Sequence, residues 1–261
     1  MTRLLVLGNS HAATLRRALP VAAPEWPGVT TDFWGLPGAA FAKARQDESG
    51  ILRPDPEDAV SQRKAGQWNR QDHVDLTAYD HILLVGLRYG LRPAQGFMRA
   101  LHPLDWGNRS GALGVSEGFL RAALRAEIMA VLHAQNARTA LDGRFILMPA
   151  PYPAASVTEP GPLHEPVPAA VARLARAADL QAIYDEELME AHKALGLMLV
   201  LQPPETQDRA FLTKTQFLEE PGRDARHMNA SYGLIALQAM ARHIPDLYPD
   251  LHPALTGKRI A

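Results

Sequence analysis

The sequence predicts an α/β fold in which a mostly parallel sheet of five strands lies between two layers of helices. Two observations predict it. Four short apolar runs, "RLLVLG" (3–8), "HILLVG" (81–86), "RFILMPA" (144–150) and "LMLVLQ" (197–202), are continuous rather than alternating, as strands covered on both faces are. Helical patterns separate these runs, and strand–helix alternation implies parallel strands joined by crossovers.

The first strand, "RLLVLG", stops at Gly8, and "HAATLRRAL" (11–19) follows it as a helix. A weaker run, "TTDFWG" (30–35), is the second strand and "HILLVG" the third. The helix "SEGFLRAALRAEIMAVLHAQ" (116–135) leads into the fourth, and one long helix over 168–195 leads into the fifth. "NASYGLIALQAMARHI" (229–244) closes the chain's regular part. Right-handed crossovers leave few topologies for five strands, of which the flavodoxin-like order 2-1-3-4-5 is the simplest. We expect a single domain over 1–261 with long loops at about 47–79, 88–115 and 149–168. The last of these holds seven prolines, from Pro149 to Pro168, which remove donors and fix φ. The second and third loops leave the C-terminal edge of the sheet, where open α/β sheets bind ligands.

Composition narrows the function classes. The 261 residues are 47% hydrophobic, enough for a sizeable core. A formal charge of −1 gives no electrostatic case for nucleic acid or an anionic membrane surface. There is no cysteine, which excludes disulfides, thiolate metal sites and a cysteine nucleophile. The apolar run Leu4–Leu7 is too short for a signal peptide. No stretch approaches the roughly eighteen apolar residues of a membrane span. The expectation is a soluble, cytoplasmic protein whose oligomeric state the sequence leaves open.

Two segments at opposite ends carry the chemistry. Gly8-Asn9-Ser10-His11 stands directly after the first strand, and "GRDARHMNASYG" (222–233) opens the last helix. Alone, the first is a strand-to-helix turn and the second a capped helix start, with Asn229 a natural N-cap. Together they supply a hydroxyl, an imidazole and a carboxylate. Asp224 and His227 are three apart, and at a helix entry such residues can share one side. The carboxylate can then hold one imidazole nitrogen while the other takes a serine proton.

With both ends in view, the sequence resembles the SGNH (GDSL-like) hydrolase family. That family has a serine in a G-D-S motif after the first strand and a D-x-x-H motif near the C-terminus. The matching residues are Ser10, Asp224 and His227 in the same order. The resemblance implies the flavodoxin-like fold and carboxylic ester hydrolysis through an acyl-enzyme, with no metal or organic cofactor. It also implies an oxyanion hole from the N–H groups of Ser10 and of a glycine after strand two. In "WGLPGAAFAK" (34–43) that glycine is Gly38. The sequence departs from the family at three places. Asn9 replaces the usual aspartate. Tyr232 stands five residues after the histidine, where glycine is usual, and Gly233 comes one later. Gly86-Leu87-Arg88-Tyr89 replaces G-x-N-D, so that Arg88 stands where an oxyanion-donating asparagine is expected.

Arg88 is accordingly a replacement donor, an anchor for an anionic substrate group, or a cover for the sheet edge. Asn9, His11, Tyr89, Asn108 and Tyr152 are candidate substrate contacts near the strand ends, with His164 a further one in the proline-rich loop. Trp34, ahead of Gly38, is either core or a substrate contact. The partner is a small-molecule ester, carbohydrate-linked esters included. Two alternatives share these residues: an O-acyltransferase, and a non-catalytic protein that holds an anion through Arg88. A nucleotide-binding reading lacks both G-x-G-x-x-G and G-x-x-x-x-G-K-[ST].

Overall fold

The computed structural model describes residues 1–22, 26, 28–107, 109 and 111–243. Five parallel strands form the main sheet: β1 (Thr2–Gly8), β2 (Val29–Gly35), β3 (His81–Leu87), β4 (Phe145–Pro149) and β5 (Met198–Leu199). Their order across the sheet is 2-1-3-4-5, the flavodoxin-like order. β1 is internal, paired with β2 from Thr2↔Val29 to Gly8↔Gly35 and with β3 from Leu4↔His81 to Gly8↔Val85.

Because successive side chains of a strand point to opposite faces, each apolar run feeds two cores. Leu5, Leu7, Ile82, Leu84, Phe145 and Leu147 face one; Leu4, Val6, Leu83, Val85, Ile146 and Met148 face the other. The second face is covered by α1 (Ala12–Ala22), through Leu15 and Ala18, and by α8 (Ala230–His243), through Ala236, Leu237 and Met240. The first is covered by α5 (Glu117–Thr139), whose Leu120, Leu124, Ile128 and Leu132 recur at i+4, and by α7 (Ala177–Ala194). The layers are therefore α/β/α.

Four expected boundaries shift. The loop at 47–79 holds a small antiparallel sheet of Arg45–Gln46, Ile51–Arg53 and Val74–Asp75, and a helix, Ala59–Trp68. Asp58 caps that helix, accepting from the N–H groups of Val60 and Ser61 at 3.1 Å each. The loop at 88–115 holds the helix Leu91–Ala100 and a two-stranded parallel ribbon, Leu101–Pro103 beside Leu113–Val115. The expected helix over 168–195 is two helices, Pro166–Ala172 and Ala177–Ala194. In chain order, then, α2 is Gly38–Phe41, α3 Ala59–Trp68, α4 Leu91–Ala100 and α6 Pro166–Ala172. The fifth strand is two residues where six were expected: it is an edge with one neighbour, and only the Val200 N–H, donating to Leu147 at 2.9 Å, extends the pairing.

Candidate active site

Ser10 sits between the end of β1 and α1, and His227 lies 217 residues later, just before α8. The packing of α1 on α8 joins them. The Thr14 hydroxyl and the Arg17 guanidinium both donate to the carbonyl of Met228, at 2.8 and 2.9 Å. Gly233 lets the helices close: a Cβ there would lie 2.6 Å from the Thr14 carbonyl oxygen. Asn229 accepts from the Tyr232 N–H at 3.2 Å and donates to the carbonyls of Gln216 and Leu218, which pins the helix start.

The result is a chain of three side chains. His227 Nε2 is 2.8 Å from Ser10 Oγ, and His227 Nδ1 is hydrogen-bonded to Asp224 Oδ2. The other oxygen of Asp224 accepts from the Arg226 N–H at 2.7 Å. Burial pushes the Asp224 carboxyl up, but its hydrogen bonds to His227 and to the Arg226 N–H outweigh this and hold it below the ordinary value. Asp224 is thus an anion beside the imidazole nitrogen that faces away from the serine.

Two backbone donors near the ends of β1 and β2 are free. Neither the Ser10 N–H nor the Gly38 N–H donates a hydrogen bond among the described residues. The register Gly8↔Gly35 puts the exits of β1 and β2 side by side, and the Leu36 N–H donates to Gly8 at 3.1 Å. Gly38 is the first, exposed residue of α2.

The other expected contacts fall in several places. Asn9 is half-buried and uses both ends of its amide on the backbone, donating to Gly86 at 2.7 Å and accepting from the His11 N–H at 3.0 Å. It shapes the turn rather than facing a ligand. His11 is buried and stacked on His227, with ring centroids 5.0 Å apart. Burial first, then the neighbouring His227 and Arg88, lower its pKa to about 3, so it is neutral. Trp34 is a core residue, 2% exposed, and lines a pocket with Trp68 and Asn69 that includes none of the Ser10, Asp224 and His227 side chains. Tyr89 is not a substrate contact either. It is fully buried against His192 in the core, and burial raises its pKa. Tyr152 is buried on Phe211 and donates to Asp185 at 3.1 Å, so it braces the loop after β4 from within. These aromatics stand beside the motifs in sequence, but their side chains turn to the apolar interior. Asn108 lies outside the described residues.

A cavity of about 530 Å³ borders Asp224, between α4 and the proline-rich loop, with His164 on its wall. Arg92, Gln95 and Arg226 line both it and a smaller, deeper recess that Arg88 closes. Arg226 also donates to both oxygens of Glu165, at 2.8 and 2.7 Å, which ties the segment carrying Asp224 and His227 to the proline-rich loop. The Ala154 N–H, donating to Ala225 at 2.8 Å, is a second tie. Arg92, Gln95, Glu165 and Arg226 were not read from the sequence. Only Arg226, inside the D-x-x-H segment, carried a positional signal. Among the described residues no group of histidine and carboxylate side chains is arranged to hold a metal ion, and no helix is long and apolar enough to cross a membrane.

The chain matches no protein-family model and no curated protein by sequence. Among solved structures it is similar to a GDSL-like lipase from Bacteroides thetaiotaomicron, at 13% identity over 94% of this chain and 88% of that one, with a TM-score of 0.38. It is similar to an acetylxylan esterase from Geobacillus stearothermophilus at 16% identity over 93% and 94% of the two chains, with a TM-score of 0.35. A DUF4886 family protein from Bacteroides uniformis aligns at 12% identity over 95% and 96%, with a TM-score of 0.40. Agreement this loose transfers neither an activity nor a residue's role.

Proposed function

We propose that the protein is a serine esterase of SGNH type that cleaves small carboxylic esters through an acyl-enzyme. The observation that carries this reading is the 2.8 Å contact between Ser10 Oγ and His227 Nε2, with Asp224 on the far side of the ring. A serine hydroxyl is a weak nucleophile until a base takes its proton. In the proposed reaction Ser10 Oγ bonds to the ester carbonyl carbon as its proton passes to His227 Nε2. Asp224 holds the ring and stabilises the imidazolium. The carbonyl oxygen, now an anion, accepts from the free N–H groups of Ser10 and Gly38. Collapse breaks the bond to the alcohol oxygen, which takes the proton from His227. Water, deprotonated by the same nitrogen, then attacks the acyl-serine, and the acid leaves as Ser10 regains its proton.

His11 fits this scheme as a neutral neighbour. A charged imidazole stacked on His227 would oppose the imidazolium, and burial prevents that charge. Hydrolysis of short-chain 4-nitrophenyl esters, together with covalent labelling by a fluorophosphonate, tests the reading. Wild-type protein is expected to turn over the ester and label on Ser10, and Ser10→Ala to do neither. Equal turnover by the two proteins would sink the proposal.

A further inference from the structure

The recess beside the triad is built for charge. Arg88 leaves the end of β3, the strand next to β1, and is half-buried. Its guanidinium makes no hydrogen bond or ion pair among the described residues. Arg92, in the first turn of α4 and exposed, makes none either. Gln95, on the same face of α4, is 1% exposed, and its amide nitrogen is cut off from water with no partner among the described residues. A buried donor left unmade is costly, so its retention needs a reason. The one carboxylate on the recess wall, Glu165, already has both oxygens on Arg226. Asp224, at the mouth, is occupied by His227 and the Arg226 N–H. The wall therefore offers two cations without a hydrogen-bond or ion-pair partner among the described residues and an amide donor, with both nearby carboxylates already hydrogen-bonded elsewhere.

We infer that this recess binds a carboxylate carried by the substrate, with Arg88 and Arg92 as the cations and Gln95 as the neutral donor. This rests on the esterase reading and narrows it to esters that bear a free acid group. The recess measures about 20 Å³, space for little more than one water-sized group, and it shares Arg92, Gln95, Glu165, Pro168 and Arg226 with the larger cavity, so the carboxylate would sit where the two meet. Guanidinium and carboxylate also match in planar, two-pronged geometry. Mutual repulsion adds to the case. Burial first, then the charges of Arg226 and Arg92, lower the pKa of Arg88 against the opposing pull of Glu165 and Asp224, and an incoming anion relieves the remaining repulsion.

The test has two independent arms. The kinetic arm compares 4-nitrophenyl half-esters of succinic, glutaric and adipic acid with the same compounds capped as methyl esters. The free acids are expected to be preferred, and the ratio of kcat/KM values to fall about tenfold or more in Arg88→Met and in Arg92→Gln. Arg92 is exposed, so its variant is not expected to disturb folding. The binding arm uses Ser10→Ala protein and calorimetry with glutarate and with inorganic phosphate. Saturable glutarate binding that weakens about tenfold when Arg88→Met is added supports the inference. It does so even in a protein that hydrolyses nothing, where the esterase reading alone would fail. Active enzyme with no preference for the free acids, no saturable glutarate binding, or tighter binding of phosphate than of glutarate each overturns it.

Discussion

The side chain of Asn9 donates to the carbonyl oxygen of Gly86 across 2.7 Å, linking the turn that carries Ser10 to the end of the neighbouring strand. Gly86 has a φ of +96°, and a Cβ on it would lie 2.1 Å from Asn9 Oδ1. The two residues fit only each other: an amide that can give as well as take a hydrogen bond, and a residue with no side chain. A carboxylate can still accept from the His11 N–H, but it has no proton for Gly86.

Asn9→Asp is therefore expected to destabilise the fold by about 1–3 kcal/mol at neutral pH, because an ionised oxygen faces a carbonyl in place of a donor. The deficit should shrink in acid, where the carboxyl regains a proton to give. A small displacement of Ser10 should also cost roughly a hundredfold in kcat/KM. Urea midpoints at several pH values, beside ester turnover, check both. A midpoint gap that does not change with pH would refute the account of the hydrogen bond.

Arg88→Ala separates two roles. A donor to the oxyanion acts only in the transition state, so its loss lowers kcat, by roughly a hundredfold or more for one donor, with KM little changed. An anchor for a substrate carboxylate acts in the ground state as well, so its loss raises KM for acidic esters and leaves neutral esters nearly unaffected. The recess geometry favours the second outcome. Removal of a half-buried cation with no hydrogen-bond or ion-pair partner among the described residues should also leave the melting temperature unchanged or raised.

The sheet was legible because its strands are buried on both faces, so that "LLVL" and "ILLV" read as continuous apolar runs. Helix α4 was not legible, because Pro93 and Gly96 mark "LRPAQGFMRA" as a loop. Pro93 in fact sits in the first turn, where its missing N–H costs nothing. The break between α6 and α7 lies in a run of good helix formers, and tertiary contacts impose it. Arg173 donates to the Thr158 carbonyl, and Arg176 lies 3.9 Å over the Trp106 ring. The chain of Ser10, His227 and Asp224 was readable as two motifs because few residue types can make such a chain. Gln95 was not, since a buried glutamine inside an unrecognised helix has no local signature.

A buried carboxyl predicts a pH effect on stability with a definite sign. Burial raises the pKa of Asp185 to about 6, although Gln181 and Tyr152 both donate to it. The folded state thus binds this proton more tightly than the unfolded chain, whose carboxyl titrates near 4. Stability from this group is full below about pH 4 and is lost as pH rises through 6, a cost of about 3 kcal/mol at neutral pH. Asp185→Asn should recover most of it at pH 7 and almost none at pH 3.5. His11, lowered to about 3, works the other way: its contribution is lost as pH falls below 6.5 toward 3. The Asn variant must therefore be compared with wild type at each pH, not read from one profile.

Gly233 offers the sharpest test of how the chain's two ends are held together. It stands one residue beyond the family's usual glycine, where Tyr232 instead packs on Phe217 with ring centroids 6.1 Å apart. A methyl at 233 would meet the Thr14 carbonyl oxygen at 2.6 Å and the Ala18 Cβ at 2.9 Å, so α1 and α8 would have to part. The backbone oxygen cannot yield without moving the helix that begins just after Ser10. Gly233→Ala should cost about 1–3 kcal/mol by overpacking. Because the same movement pulls His227 from Ser10, kcat should fall further than for an equally destabilising change at the other face of the sheet, such as Leu124→Ala. Matching the two variants in stability by temperature before comparing their rates isolates the geometric part. If they then turn over ester equally fast, the contact between α1 and α8 stabilises the fold without aligning the base with the nucleophile.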